Sequence, residues 1–454
     1  MSSTFASFTL QDSHAEHSNS SSFRKKKPDL EICHDNYDLD EPEQWVNPKI
    51  NIFRLFGAFW FMFMMGSNDA AYGAIIPYLE TYYNLSYIIV SLVFLSPFVG
   101  YVSAALINNW LHHSIGQRGI SLLGGGCHLI ASIINAFHPP FPVLVCSFIL
   151  AGIANGVGNA AWNAWVSTLR HSTQLLGCLH AFYGVGGVFS PLVATAMITK
   201  AGRMWYEFYY VMISFAALEV LGLTWAFWGM SGAEYRRRHA LYSARCSTNN
   251  SSTELDKDSV TIKSALWHAP AARVTWLCSI FMFGYVGTEV AIGGWVVTFM
   301  MKVRQGTDFA SGMTATGFWL GLTAGRASLG FVTPLIGVKF ATMGYLILGA
   351  IFHLVFWLVP DFYASAVAVA LVGYFMGPMV PGVIVVVGKL LPRQMHVFVI
   401  GFSTAFGGCG AAALPFAVGS LAESKGVQVL QPIVLGFLGT LMILWLALPR
   451  LNGK

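Results

Sequence analysis

The chain has 454 residues, of which 55% are apolar, 14% aromatic and only 10% charged, with a formal net charge of +5 and a mean hydropathy of +0.59. A soluble domain carries about a quarter charged residues. Here nine of the 21 acids fall in residues 1–50 and four more in residues 231–273, so the remainder is nearly bare of charge. This excludes a compact water-soluble protein, a disordered chain and a collagen-like one. Apolar runs of about 20 residues, rather than about ten, leave an all-α polytopic membrane protein.

Residues 1–50 are rich in Ser, Asp and Glu and lack an apolar core. They read as a disordered cytosolic tail and not as a cleavable signal peptide, so the first span serves as the insertion signal. Twelve spans follow, at 52–76, 87–110, 118–137, 141–168, 173–198, 205–230, 272–300, 310–330, 340–359, 362–388, 392–420 and 427–448. They group into an N-terminal six-helix half (51–230), a cytosolic linker (231–271), a C-terminal six-helix half (272–449) and a short cytosolic C-terminus (450–454). With both termini inside, 17 bases fall on the inner side and five on the outer, counting Arg326 as an inner-face residue and leaving out the tail cluster 24–27. The basic run at 236–239 is then inner-face charge that touches anionic lipid. The sequon at Asn84 faces outward as a glycosylation candidate, and those at Asn19, Asn249 and Asn250 are cytosolic and inert.

The halves repeat. A shift of 220 carries Asp69 onto Glu289 and Gly73 onto Gly293. Shifts of 221 and 224 carry Gly152 and Gly156 onto Gly373 and Gly377, and Phe182, Gly184, Gly186 and Pro191 onto Phe406, Gly408, Gly410 and Pro415. Two six-span halves joined by a loop are the plan of an alternating-access carrier.

Charge inside a span is costly and therefore marks function. Asp69 and Glu289, in the first and seventh spans, are the candidate ion-coupling acids. Glu219 in the sixth span has no motif around it and reads as a polar contact within its own half. In the fourth span, Asn155, Asn159 and Asn163 recur every four residues on one face beside Trp162. Amides with a flat indole suit a polyhydroxylated ring. His180 and Tyr183 share a face of the fifth span and complete the candidate solute-binding set, whereas Phe182 reads as packing. Arg326 is expected to end the eighth span as an inner-face anchor paired with a carboxylate or a helix end. Gly377, Pro378 and Pro381 break the tenth span, for gating or to free carbonyls. The seven cysteines are scattered without a CxxC, the His112–His113 pair lacks metal partners, and there is no Walker loop. No cofactor, metal site, ATP-driven pump or enzyme is read from these residues.

Four stretches carry a resemblance: GSNDAAYGAIIP at 66–77, the Asn155–Asn163 run, LHAFYGVG at 179–186 and GYVGTEVAIGGW at 284–295. The chain resembles the major facilitator superfamily over about 400 residues, and within it the fucose/glucose-permease-like branch, especially its fungal members. The resemblance implies the major facilitator fold with 12 transmembrane helices in two six-helix halves. It also implies a functional acid at Asp69 and a functional polar position at Asn159 or Asn163. The fourth span has no acid, so either Glu289 takes that coupling role or the protein is a uniporter or exporter. The loop motif between spans two and three is reduced to Gly116, Arg118 and Gly119.

The combined reading is a secondary transporter, placed in the plasma membrane with the vacuolar membrane left open, moving a sugar or polyol by proton symport. Its partners would be the solute, a proton and membrane lipid, without nucleic acid or an obligate protein partner. Export of a small organic metabolite or drug is the alternative, and a non-transporting membrane sensor a third.

Overall fold

The structure is a computed structural model and describes residues 43–237, 240, 265–268 and 270–449. The expectations for the tail over 1–42, for most of the central linker with its sequons, for the Asn19 sequon and for residues 450–454 fall outside the described residues.

The first half contains α1 (Ile50–Tyr83), α2 (92–115, preceded by one turn at Tyr87–Val90), α3 (117–136), α4 (Phe141–Ser167), α5 (Ser172–Thr199) and α6 (Phe208–Ala226). The second contains α7 (Ala271–Lys302), α8 (Asp308–Ile336), α9 (Val338–Leu358), α10 (Phe362–Leu390), α11 (Arg393–Lys425) and α12 (Leu430–Ala447). Among the described residues, eleven helices are long and apolar enough to cross a bilayer. The exception is α8, in which polar residues such as Asp308, Thr314, Thr323, Arg326 and Ser328 dilute the apolar character.

Three helix ends differ from the sequence expectation, and one physical reason covers those of α1 and α8. A polar or imino residue inside a long span does not end it when neighbouring helices satisfy the freed groups. Helix α1 continues through Pro77 to Tyr83, and Thr81 donates to the Pro77 carbonyl (3.0 Å). Helix α8 continues past Arg326 to Ile336, so this arginine lies within the span and takes no part in the inner-face charge bias. Helix α11 runs on to Lys425. The expected break in α10 is present as a turn at Gly377–Pro378 between the segments Phe362–Met376 and Met379–Leu390. Gly116 has a positive φ of 64° and breaks the helical stretch between α2 and α3.

The internal repeat reappears as repeated backbone contact. A Cβ on Gly186 would stand 2.0 Å from the Phe63 carbonyl oxygen. At the equivalent place, one on Gly410 would stand 1.9 Å from that of Phe283. Gly152 against Pro97 and Gly373 against Phe318 form a second such couple, at 2.0 and 2.3 Å. Helix α5 thus packs on α1 as α11 packs on α7, and α4 on α2 as α10 on α8. Small residues let helices approach where lipid offers no hydrophobic drive for association.

The halves meet at the end of the bundle opposite to where α1 begins and α12 finishes. There Gly73 lies on Gly293, where an added Cβ would be 1.9 Å from the carbonyl oxygen. Ser91 abuts Gly419, Thr195 abuts Gly312, and the Ile88 amide donates to Glu423 Oε2 (3.4 Å). Helix α4 packs on α1, on α5 and on the α2–α3 stretch, and α10 on α7, α8, α9 and α11, each within its own half. The far end is therefore shut, and the cleft between the halves opens toward the end holding the termini.

A branched side chain at Gly73 would wedge this closure. With cysteines at Ile88 and Glu423, a short bifunctional thiol reagent should bridge the far end in the absence of solute, as read by mass spectrometry. Adding Gly73→Leu should lower the bridged fraction severalfold, and an unchanged yield would mean that this contact does not hold the end closed.

Candidate functional site

Asp69 lies near the middle of α1 and is half-buried. Its Oδ1 accepts from Asn155 Nδ2 of α4 (3.1 Å), and its Oδ2 accepts from the Tyr183 hydroxyl of α5 (3.1 Å). Asn155 is buried, and its Oδ1 faces His128 Nε2 of α3 at 2.9 Å. His128 Nδ1 faces both oxygens of Glu219 of α6, at 3.1 and 3.0 Å, and neither side chain is exposed. Five helices of the first half thus contribute to one polar chain: Tyr183, Asp69, Asn155, His128 and Glu219. Glu219 is, as the sequence reading held, a polar contact within its own half. His128 carries no sequence signal of its own, because its partners Asn155 and Glu219 lie 27 and 91 residues away.

The second half holds a matching but shorter group. Arg326 Nη2 donates to both oxygens of Glu289 (3.0 and 3.1 Å) and reaches the Tyr285 hydroxyl at 3.5 Å. The Glu289 side chain is 5% exposed and that of Arg326 is 18% exposed, so the pair is largely withdrawn from solvent with one edge on the cleft. The buried Arg326 Nε has no hydrogen-bond partner among the described residues. The expected carboxylate partner of Arg326 is therefore found, but at mid-span rather than at the inner face. Gly377 packs against the Arg326 backbone amide, where a Cβ would be 2.6 Å away, so the α10 break seats on α8 beside the ion pair. Pro381 is exposed, one turn further on.

The solute-binding set divides. His180 is exposed on α5. Tyr183 is half-buried and committed to Asp69. Asn159 and Asn163 are half-buried and joined to each other, with Asn163 Nδ2 donating to Asn159 Oδ1 (2.6 Å) and to its carbonyl (2.8 Å). Trp162 departs from the expectation. It is fully buried, 4.8 Å from the Phe227 ring and 6.2 Å from that of Phe61, so its indole is core and cannot stack on a solute. Spacing showed that it lies beside the amide stripe but not which way it turns. Trp319 of α8 is buried between Gly187 and Gly293 where the halves meet, and its Nε1 has no partner among the described residues. Asn84 is the exposed left-handed cap of α1 at the far end.

A family model for the Major Facilitator Superfamily matches residues 56–325. The chain belongs to this superfamily. It is 28% identical to Bypass of stop codon protein 6 of Saccharomyces cerevisiae, over 95% of this chain and 92% of that one. It is 21% identical to the glucose/mannose transporter GlcP of Bacillus subtilis, over 62% of this chain and 65% of the relative. Among solved structures, a D-xylose-proton symporter superposes with a TM-score of 0.70 at 12% identity, covering 89% of this chain and 99% of that one. A variant of the nucleoside transporter NupG superposes with a TM-score of 0.66 at 12% identity, covering 87% and 100%. At such identities the superpositions speak for the fold.

Removing one member of a buried ion pair costs about 3–5 kcal/mol, because the other charge is left without a partner. Arg326→Met should therefore lower the melting temperature of the purified protein clearly, and adding Glu289→Leu should recover most of the loss. A double variant no more stable than the single would show that the pair is not what holds these side chains.

Proposed function

We propose that the protein is a secondary transporter that moves a sugar or polyol by proton symport, with Asp69 as the coupling acid. The observation that carries this is the setting of Asp69. It is a half-buried carboxylate near the middle of α1, with two neutral donors on its oxygens and no cation in direct contact among the described residues. Such a group is costly when charged and cheap when protonated. Its protonation then removes a charge that resists closing the cleft.

The printed names of two similar proteins, a glucose/mannose transporter and a D-xylose-proton symporter, support this solute class. A place in the fucose/glucose-permease-like branch rests on the sequence stretches around Asp69 and Glu289. The Glu289–Arg326 pair faces the cleft from the second half, and its arginine edge and His180 give hydrogen-bond donors toward solute hydroxyls. Asn159 and Asn163 lie further along α4 on the way out. The distribution of bases supports cytosolic termini. The cleft then opens to the cytosol, the state in which solute and proton leave. The plasma membrane suits an uptake carrier.

In proteoliposomes, one of a panel of labelled hexoses, pentoses and polyols should accumulate when the outside is acidic and not when the gradient is collapsed. Asp69→Asn should abolish accumulation while retaining exchange of internal for external solute. Undiminished gradient-driven accumulation in D69N would overturn the coupling role, and outward movement of amphipathic metabolites with no sugar flux would favour the exporter.

A further inference from the structure

Donor and acceptor bookkeeping fixes the protons behind Asp69. An amide has one donor end and one acceptor end. With Nδ2 of Asn155 on the Asp69 carboxylate, its Oδ1 must accept from His128, so His128 Nε2 carries a hydrogen. The contact of His128 Nδ1 with Glu219 then also needs a proton, since a bare nitrogen and a bare carboxylate would repel at 3.0 Å. Histidine and glutamate together therefore hold two protons and are neutral as a pair, as imidazolium with carboxylate or as imidazole with carboxylic acid. Asp69 alone carries the net charge of the chain.

The other groups facing this chain do not supply a charge that competes. The side chains of Tyr72 of α1 and Tyr101 of α2 lie near Asp69, with Tyr101 also against Asn155, and Phe61 of α1 lies on the His128 ring at 5.4 Å. Across the cleft, Glu289 acts on Asp69, but it is neutralised by Arg326. Besides the Tyr183 hydroxyl, His128 and Glu219 are the ionisable groups bonded into the chain with Asp69 among the described residues. Strongly interacting groups titrate as a unit rather than singly.

We propose that His128 and Glu219 form a buried counter-charge pair that acts on Asp69 through Asn155 and sets the pH at which Asp69 binds and releases the coupling proton. The inference rests on the reading of Asp69 as the coupling acid. Both members are positioning residues: neither lies on the cleft, and solute has no access to them. The pair is built to be neutral as a whole. Removing its acid leaves a positive neighbour that favours ionised Asp69, and removing its base leaves a negative neighbour that favours the protonated form.

The test uses the full-length protein in proteoliposomes, with the accumulated sugar as probe and the midpoint of uptake against external pH as readout. Glu219→Gln should move the midpoint to lower pH and His128→Gln to higher pH, each by about one unit. The H128Q/E219Q double variant should return to within a few tenths of the parent. A purely structural role would slow uptake without displacing the midpoint in opposite senses. If one single variant fails to reach the membrane, the other against the double variant decides, since a shift must appear in the single and vanish in the double. Shifts in the same direction, or none, overturn the inference while leaving the coupling acid in place. Loss of all pH dependence in D69N with opposed shifts in the two pair variants supports both. Full pH dependence in D69N overturns both.

Discussion

Backbone contact between α1 and α7 is the constraint from which the rest of the structure follows. Gly73 and Gly293 are equivalent positions of the internal repeat, and they lie against each other where the two halves meet. No side chain larger than hydrogen fits at Gly73. One helical turn away in each half stands an acid, Asp69 or Glu289. The same contact therefore closes the far end and brings the two intramembrane carboxylates to one level across the cleft. A carrier whose halves rock so as to make and break such a contact changes access on both sides while its polar groups stay at mid-membrane.

The two acids are handled differently, although the repeat makes them equivalent. Glu289 has a cation within its own half, and the pair is largely withdrawn from solvent. Among the described residues Asp69 has neutral donors on both oxygens, and His128 of its half stands one amide away and is itself tied to Glu219. A pair that is already neutral has little reason to exchange a proton, while a lone carboxylate in a low-dielectric cleft has every reason to. This asymmetry is the ground on which coupling is proposed for the first half, beside a Glu289–Arg326 pair already neutral in the second.

Much of the fold could be read from the sequence, because the bilayer simplifies the problem. Apolar runs of sufficient length must be helices, and twelve of them in two similar sets leave few alternatives. The repeat offsets were legible too, and the contacts of Gly186 with Phe63 and of Gly410 with Phe283 show what they encode. Helix ends were harder, as Pro77 and Arg326 show, since a breaker or a charge is tolerated when tertiary partners satisfy it.

The site was half legible. Asp69 and Glu289 were exposed by cost, since a carboxylate in a span needs a reason. Asn155 followed from spacing. Trp162 was misread because adjacency to a polar stripe fixes position on a helix but not rotamer, and its indole turns into the Phe61–Phe227 core. His128 could not be found, because its meaning lies in Asn155 and Glu219, 27 and 91 residues away in the chain. The most direct test of the whole account is the stoichiometry of proton and solute, measured with a pH-sensitive dye trapped inside sealed proteoliposomes during uptake of the accumulated sugar. The account predicts one proton entering with each solute molecule, and solute uptake at full rate with no internal acidification would contradict it.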